Sequence, residues 1–145
     1  MNVTTGLVLP LLIGVIAGLR AMTAPAAISL AARAGRLDLA TTRLAFLGYA
    51  YTPWIFAALA LVELVTDQLP TTPSRTVPIQ FGTRILMGGL TGGAIAGMVG
   101  AVIGTLGGRA LRGRLAAALG SDRPAAVIED LVALGGAFLI VQMLP

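Results

Sequence analysis

Apolar residues run along this chain in stretches near the ~20 residues a helix needs to cross a bilayer, and Arg, Asp, Pro and Thr collect between them. The pattern predicts an all-α, polytopic membrane protein with four transmembrane helices in a single domain, 1–145. The first span is read at 3–23, with Pro25 disfavouring helix at Ala24 and so a break or kink there. Residues 26–33 read as an interfacial surface helix ahead of Arg33, Arg36 and Arg43, which only Asp38 balances. The second span is apolar over 44–66, but Thr52-Pro53 is a helix-start signal, giving a shorter alternative from Thr52 to Leu69. Tyr49, Tyr51 and Trp54 suit an interfacial aromatic belt and favour the later start, which places Glu63 near mid-membrane. Segment 68–80 carries Pro70, Pro73 and Pro78 and reads as a stiff extended loop. The third span is read at 83–108 and the fourth from 124 or 125 to 144, after Ser121-Asp122, either of which could cap it.

The third span has a second pattern inside the first. Gly88, Gly92, Ala96, Gly100, Gly104 and Gly108 recur every four residues, with Gly89, Gly93, Gly97 and Ala101 as the adjacent row. In lipid, helices associate through close backbone packing rather than hydrophobic drive, and small residues permit that approach. The face is expected to pack helices within one subunit or to form a homo-oligomer interface. Four short helices enclose little volume, so a solute path would need oligomerisation.

Composition supports insertion: 57% of the residues are hydrophobic and 11% charged, too few charges for the surface of a soluble domain. The net charge of +4 comes from ten basic residues, all Arg and mostly in the predicted connections. With aromatics at 5%, that distribution points to membrane orientation and away from nucleic acid. Arg33, Arg36 and Arg43 follow the first span and Arg109, Arg112, Arg114 and Arg123 the third. Four crossings put both groups on one side, and the positive-inside rule then sets both termini outside the cytoplasm. The N-terminus lacks the positive region of a secretory signal, so the first span is expected to be retained. The absence of Cys, His and Lys removes thiol, imidazole and Schiff-base chemistry and most zinc or copper sites.

Charged residues at span depth cost roughly 2.5–3.5 kcal/mol each on insertion scales and therefore face partners or water. Glu63 and Asp67 are four apart on one helical face, and Arg84 is the expected partner of either or both. Arg20, late in the first span, is expected to pair with Glu129 or Asp130 near the start of the fourth. The two clusters are expected near opposite membrane surfaces, as static ion pairs or as a cation or proton site. Ser29, Ser74 and Ser121 have no activating base, and no catalytic motif surrounds the acids, so the chain is not expected to be an enzyme.

Ala17-Gly18-Leu19-Arg20-Ala21 with Pro25, and Glu63-Leu64-Val65-Thr66-Asp67-Gln68-Leu69-Pro70 followed by Thr72-Pro73-Ser74-Arg75, together with Arg84 and Glu129-Asp130, resemble a family of small bacterial multi-pass membrane proteins classed as a domain of unknown function. Gln68 departs from that pattern, in which Lys precedes Leu-Pro. The resemblance implies a bacterial cytoplasmic membrane location and draws attention to Arg20, Glu63, Asp67, Arg84, Glu129 and Asp130, but supplies no activity. The expectation is a small oligomeric channel- or transporter-like protein for an ion or solute, with no cofactor or metal and the lipid bilayer as its surroundings. The alternative is a scaffold or accessory subunit of a membrane complex.

Overall fold

The computed structural model describes residues 3–69, 74 and 76–144. These residues form six α-helices: α1 (Val3–Leu19), α2 (Thr23–Arg33), α3 (Thr52–Thr66), α4 (Pro78–Thr91), α5 (Ala94–Leu119) and α6 (Asp122–Gln142), with a 3-10 turn at Ala45–Gly48. The chain is all-helical, but four continuous spans are not what it forms. Only α5 and α6 are long and apolar enough to cross a bilayer, while α1 and α3 are shorter apolar helices.

The differences have local causes. The predicted first span ends at Leu19, because residues 20–22 leave the helix and the chain turns back as α2. Pro25 lies in the first turn of α2, where its missing N–H costs nothing, so Ala24 is helical and α1 ends four residues before the expected end at 23. Helix α2 is no surface segment either: Thr23, Ala24, Pro25, Ala26, Ile28, Ser29 and Ala31 are buried. The second span takes its shorter form, starting at Thr52 with Pro53 in the first turn. The third is split at Gly92-Gly93, where Gly93 (φ 72°) and Ala94 (φ 49°) adopt left-handed backbone that glycine tolerates best. Of the predicted loop, 70–73 and 75 lie outside the described residues, and α4 already begins at Pro78. Ser121 occupies the cap position of α6 without a side-chain cap bond, and Asp122 turns to Arg112 instead.

The glycines act between α1, α4 and α5. A methyl group at Gly14, Gly18, Gly88, Gly92, Gly97, Gly100 or Gly104 would come closer than 3.0 Å to backbone of a packed neighbour. Gly97 faces Gly14 and Gly88, Gly100 faces Leu11 to Val15, and Gly104 faces Val15, so α5 lies parallel to α1 at backbone contact distance. Gly89 meets the side chain of Met98 and Gly93 serves the turn, while Gly108 is buried in α5. Of the two uses expected of this face, packing within one subunit is the one seen: α1 and α4 of the same chain cover most of it, in place of the second copy expected at a homo-oligomer interface. The sequence pattern missed the complementary pair Gly14 and Gly18 on α1.

Helix direction alternates along the chain. Helices α1, α3 and α5 run one way and α2, α4 and α6 return, as the contacts of Glu63 with residues 21 and 22 and of Arg36 with Gln142 require. A core of Leu9, Ile13, Ile16, Ala17, Ala24, Ile28, Leu47, Ala137 and Ile140 fills the space between α1, α2 and α6. Because α2 returns, residues 33–43 lie at the Gln142 end of α6, and Arg112 lies at its Asp122 end. The two Arg groups counted together from sequence are at opposite ends of the bundle, which removes the basis for placing both termini outside the cytoplasm.

Candidate functional site

The break between α1 and α2 leaves backbone groups without helical partners, a costly condition away from water. Opposite charges meet them on each side. The Glu63 carboxylate accepts from the N–H groups of Ala21 and Met22, both at 2.8 Å, where the α2 dipole favours an anion. Arg84 Nη1 donates to the carbonyls of Gly18 at 2.9 Å and Leu19 at 2.6 Å, where the end of α1 favours a cation. Thr105 Oγ1 donates to the Gly18 carbonyl as well, at 3.1 Å.

Around this break the ionisable groups form one network. Arg20, at 0% exposure, reaches across the bundle and pairs with Asp67 at the end of α3 and Asp130 in α6. Arg84, 1% exposed, also approaches Glu63 at 3.4 Å and Asp67 at 3.6 Å. Gln68 Nε2 donates to Asp130 at 3.4 Å. Arg112 binds both oxygens of Asp122 at 2.9 and 2.6 Å, reaches Glu129 at 3.5 Å, and donates to the Asp67 carbonyl at 3.3 Å. The chain of contacts therefore runs from the exposed Asp122 inward to the buried Arg20.

Both expected pairings are present: Arg84 with Glu63 and Asp67, and Arg20 with Asp130. Glu129 is not a partner of Arg20. One residue along a helix rotates about 100°, so Asp130 faces the bundle interior while Glu129 faces Arg112 on α5. The expected separation into two clusters near opposite surfaces is overturned, because Asp67 touches both Arg20 and Arg84. The end of α1, the end of α3, the middle of α4 and the upper half of α6 all reach one level.

In the sequence Arg112 counted only toward orientation and Asp122 only as a possible cap, so neither was expected in the network. The signal was Gly120-Ser121, a helix stop followed by a helix start; it forms a helical hairpin with Arg112 eight residues before Gly120 and Glu129 nine after. Among the described residues, five of the six carboxylates of the chain thus meet Arg20, Arg84 or Arg112. Among the described residues no group of three or more acidic side chains converges as a metal site.

Toward the Gln142 end the bundle changes character. Residues 3–19, 21–32, 52–62, 85–108 and 131–145 contain no charged side chain, so the network is reached through the Asp122 end and closed by an apolar layer on the other side. On that apolar side a groove of about 520 Å³ lies between α2, α3 and α6. Compared with protein-family models, with curated proteins and with solved structures, the chain matches none.

Proposed function

We propose that this chain is a small integral membrane protein that binds, and in an assembled or opened form passes, a small cation, with the proton as the favoured ion. The observation that carries the reading is the buried network itself: Arg20 and Arg84, 0% and 1% exposed, meet Asp67, Asp130 and Glu63 inside a bundle whose flanking helical segments carry no charge. Ionisable groups at this depth are costly to place, and where they occur they mark ion paths and proton relays. Asp122, Arg112 and Glu129 form the approach, Arg20, Asp67 and Asp130 the centre, and Glu63 with Arg84 the inner limit. The family resemblance supports a bacterial cytoplasmic membrane as the setting. The many exposed large apolar side chains, among them Ile55, Leu61, Ile95, Leu131 and Phe138, support lipid contact.

The test is proton uptake into proteoliposomes with a pH-sensitive dye inside. Wild type should dissipate an imposed pH gradient, and Glu63→Gln, whose amide oxygen can still accept from Ala21 and Met22, should slow that at least several-fold while remaining folded. A scaffold or accessory subunit is the second reading, favoured by the direct capping of α1 and α2 by Arg84 and Glu63. That reading predicts no flux of protons, Na⁺ or K⁺ in wild type and copurification with a larger membrane assembly.

A further inference from the structure

We infer that the groove between α2, α3 and α6 holds one acyl chain of an anionic phospholipid, with the lipid phosphate at Arg36. The inference rests on the membrane reading above but not on ion passage. Helix α2 forms the floor through Ala26, Ala27 and Ala31, with Ala57, Leu61 and Leu64 of α3 and Leu134, Ala137 and Phe138 of α6 as walls. On each wall these positions recur at three- to four-residue spacing, so each helix turns one face to the groove. Small side chains leave the space open, and Leu61 and Phe138, both more than 60% exposed, mark its lateral opening.

Length and volume select the occupant. From Thr23 to Ala34 the groove extends roughly 16 Å at 1.5 Å per residue, close to the ~15 Å hydrocarbon depth of one leaflet. The volume of about 520 Å³ lies within the roughly 300–1,000 Å³ of small-molecule sites, so a single flexible chain fits.

Charge selects the headgroup. Arg36 lies at one end of the groove and donates to the neutral Gln142 Oε1 at 2.5 Å, with no ion pair to a carboxylate among the described residues. Exposed Tyr49, Tyr51 and Trp54 follow in the same connection and at the start of α3, where an aromatic belt marks the headgroup level. At the inner end Thr23 Oγ1 is buried with no hydrogen-bond partner among the described residues.

The probe is phosphatidylglycerol carrying a diazirine in one acyl chain, reconstituted with the full chain and irradiated, with a matched phosphatidylcholine probe in parallel. Crosslinks should concentrate in 26–34, 57–64 and 134–141, and the anionic probe should label about fivefold more than the neutral one, as expected for one Arg at a membrane surface. Arg36→Gln should bring the two probes level, and Ala57→Phe should abolish groove labelling. Crosslinks spread evenly over the exposed belt of α5, at Ile95, Val99 and Ile103, would overturn the groove assignment without any substitution that risks folding. Equal labelling by both probes in wild type would overturn the headgroup assignment. Failure of the chain to enter the bilayer would instead overturn the membrane reading, and a flux result of either sign leaves the groove test intact.

Discussion

At the scale of single residues, Arg20 and Arg84 are both buried cations but do different work. Arg84 satisfies backbone carbonyls and Arg20 joins carboxylates from two helices. Removing either leaves buried groups of opposite charge or polarity unpaired, and single-partner losses of this kind cost about 3–5 kcal/mol. Gln68 offers the sharper test, because its amide donates to Asp130 at 3.4 Å. Gln68→Lys replaces that neutral donor with a cation. Thermal unfolding in detergent should show Gln68→Lys stabilised by up to about 1 kcal/mol, as for an exposed ion pair, and Arg20→Met strongly destabilised. A destabilised Gln68→Lys would mean that residue 68 does not meet Asp130 as described.

At the scale of elements, the glycines divide into those that touch a neighbour and those that do not. Gly97 and Gly100 sit where a methyl would enter the backbone of α4 or α1, whereas Gly107 and Gly113 face open space on the same helix. Helix propensity alone favours alanine over glycine by about 1 kcal/mol per site. Gly107→Ala and Gly113→Ala should therefore hold or raise the unfolding temperature, while Gly97→Ala and Gly100→Ala should lower it by amounts that propensity cannot offset. Equal effects at all four sites would show that the α1 and α5 backbones do not meet as described. The periodic glycines identified α5 as a packing helix from sequence. They did not identify its partners, since a ridge of small residues is equally suited to a helix of its own chain or of another copy.

At the scale of the whole molecule, the return of α2 decides which connections share an end. The chain has no cysteine, so single cysteines report on this directly. With α5 and α6 crossing a bilayer, Arg43→Cys and Ser121→Cys should react with a membrane-impermeant maleimide from opposite faces. Labelling of both from one face would restore the arrangement expected from four full spans. Charge placement shows the same division between what is local and what is not. The sequence by itself determined the helical class and the packing role of the glycines, and it narrowed the second helix to a start at Leu44 or Thr52, the partners of Arg84 to Glu63 and Asp67, and the partner of Arg20 to Glu129 or Asp130. Those follow from short-range rules of period, cap and opposite charge. Only the tertiary structure decided that the pairings form one network. Its position depends on the break at 20–22, and that break is stabilised by Glu63 and Arg84, which lie more than forty residues away in the chain. A local sequence pattern carries no record of such a distant cap, so the depth of every charged group waited on the fold.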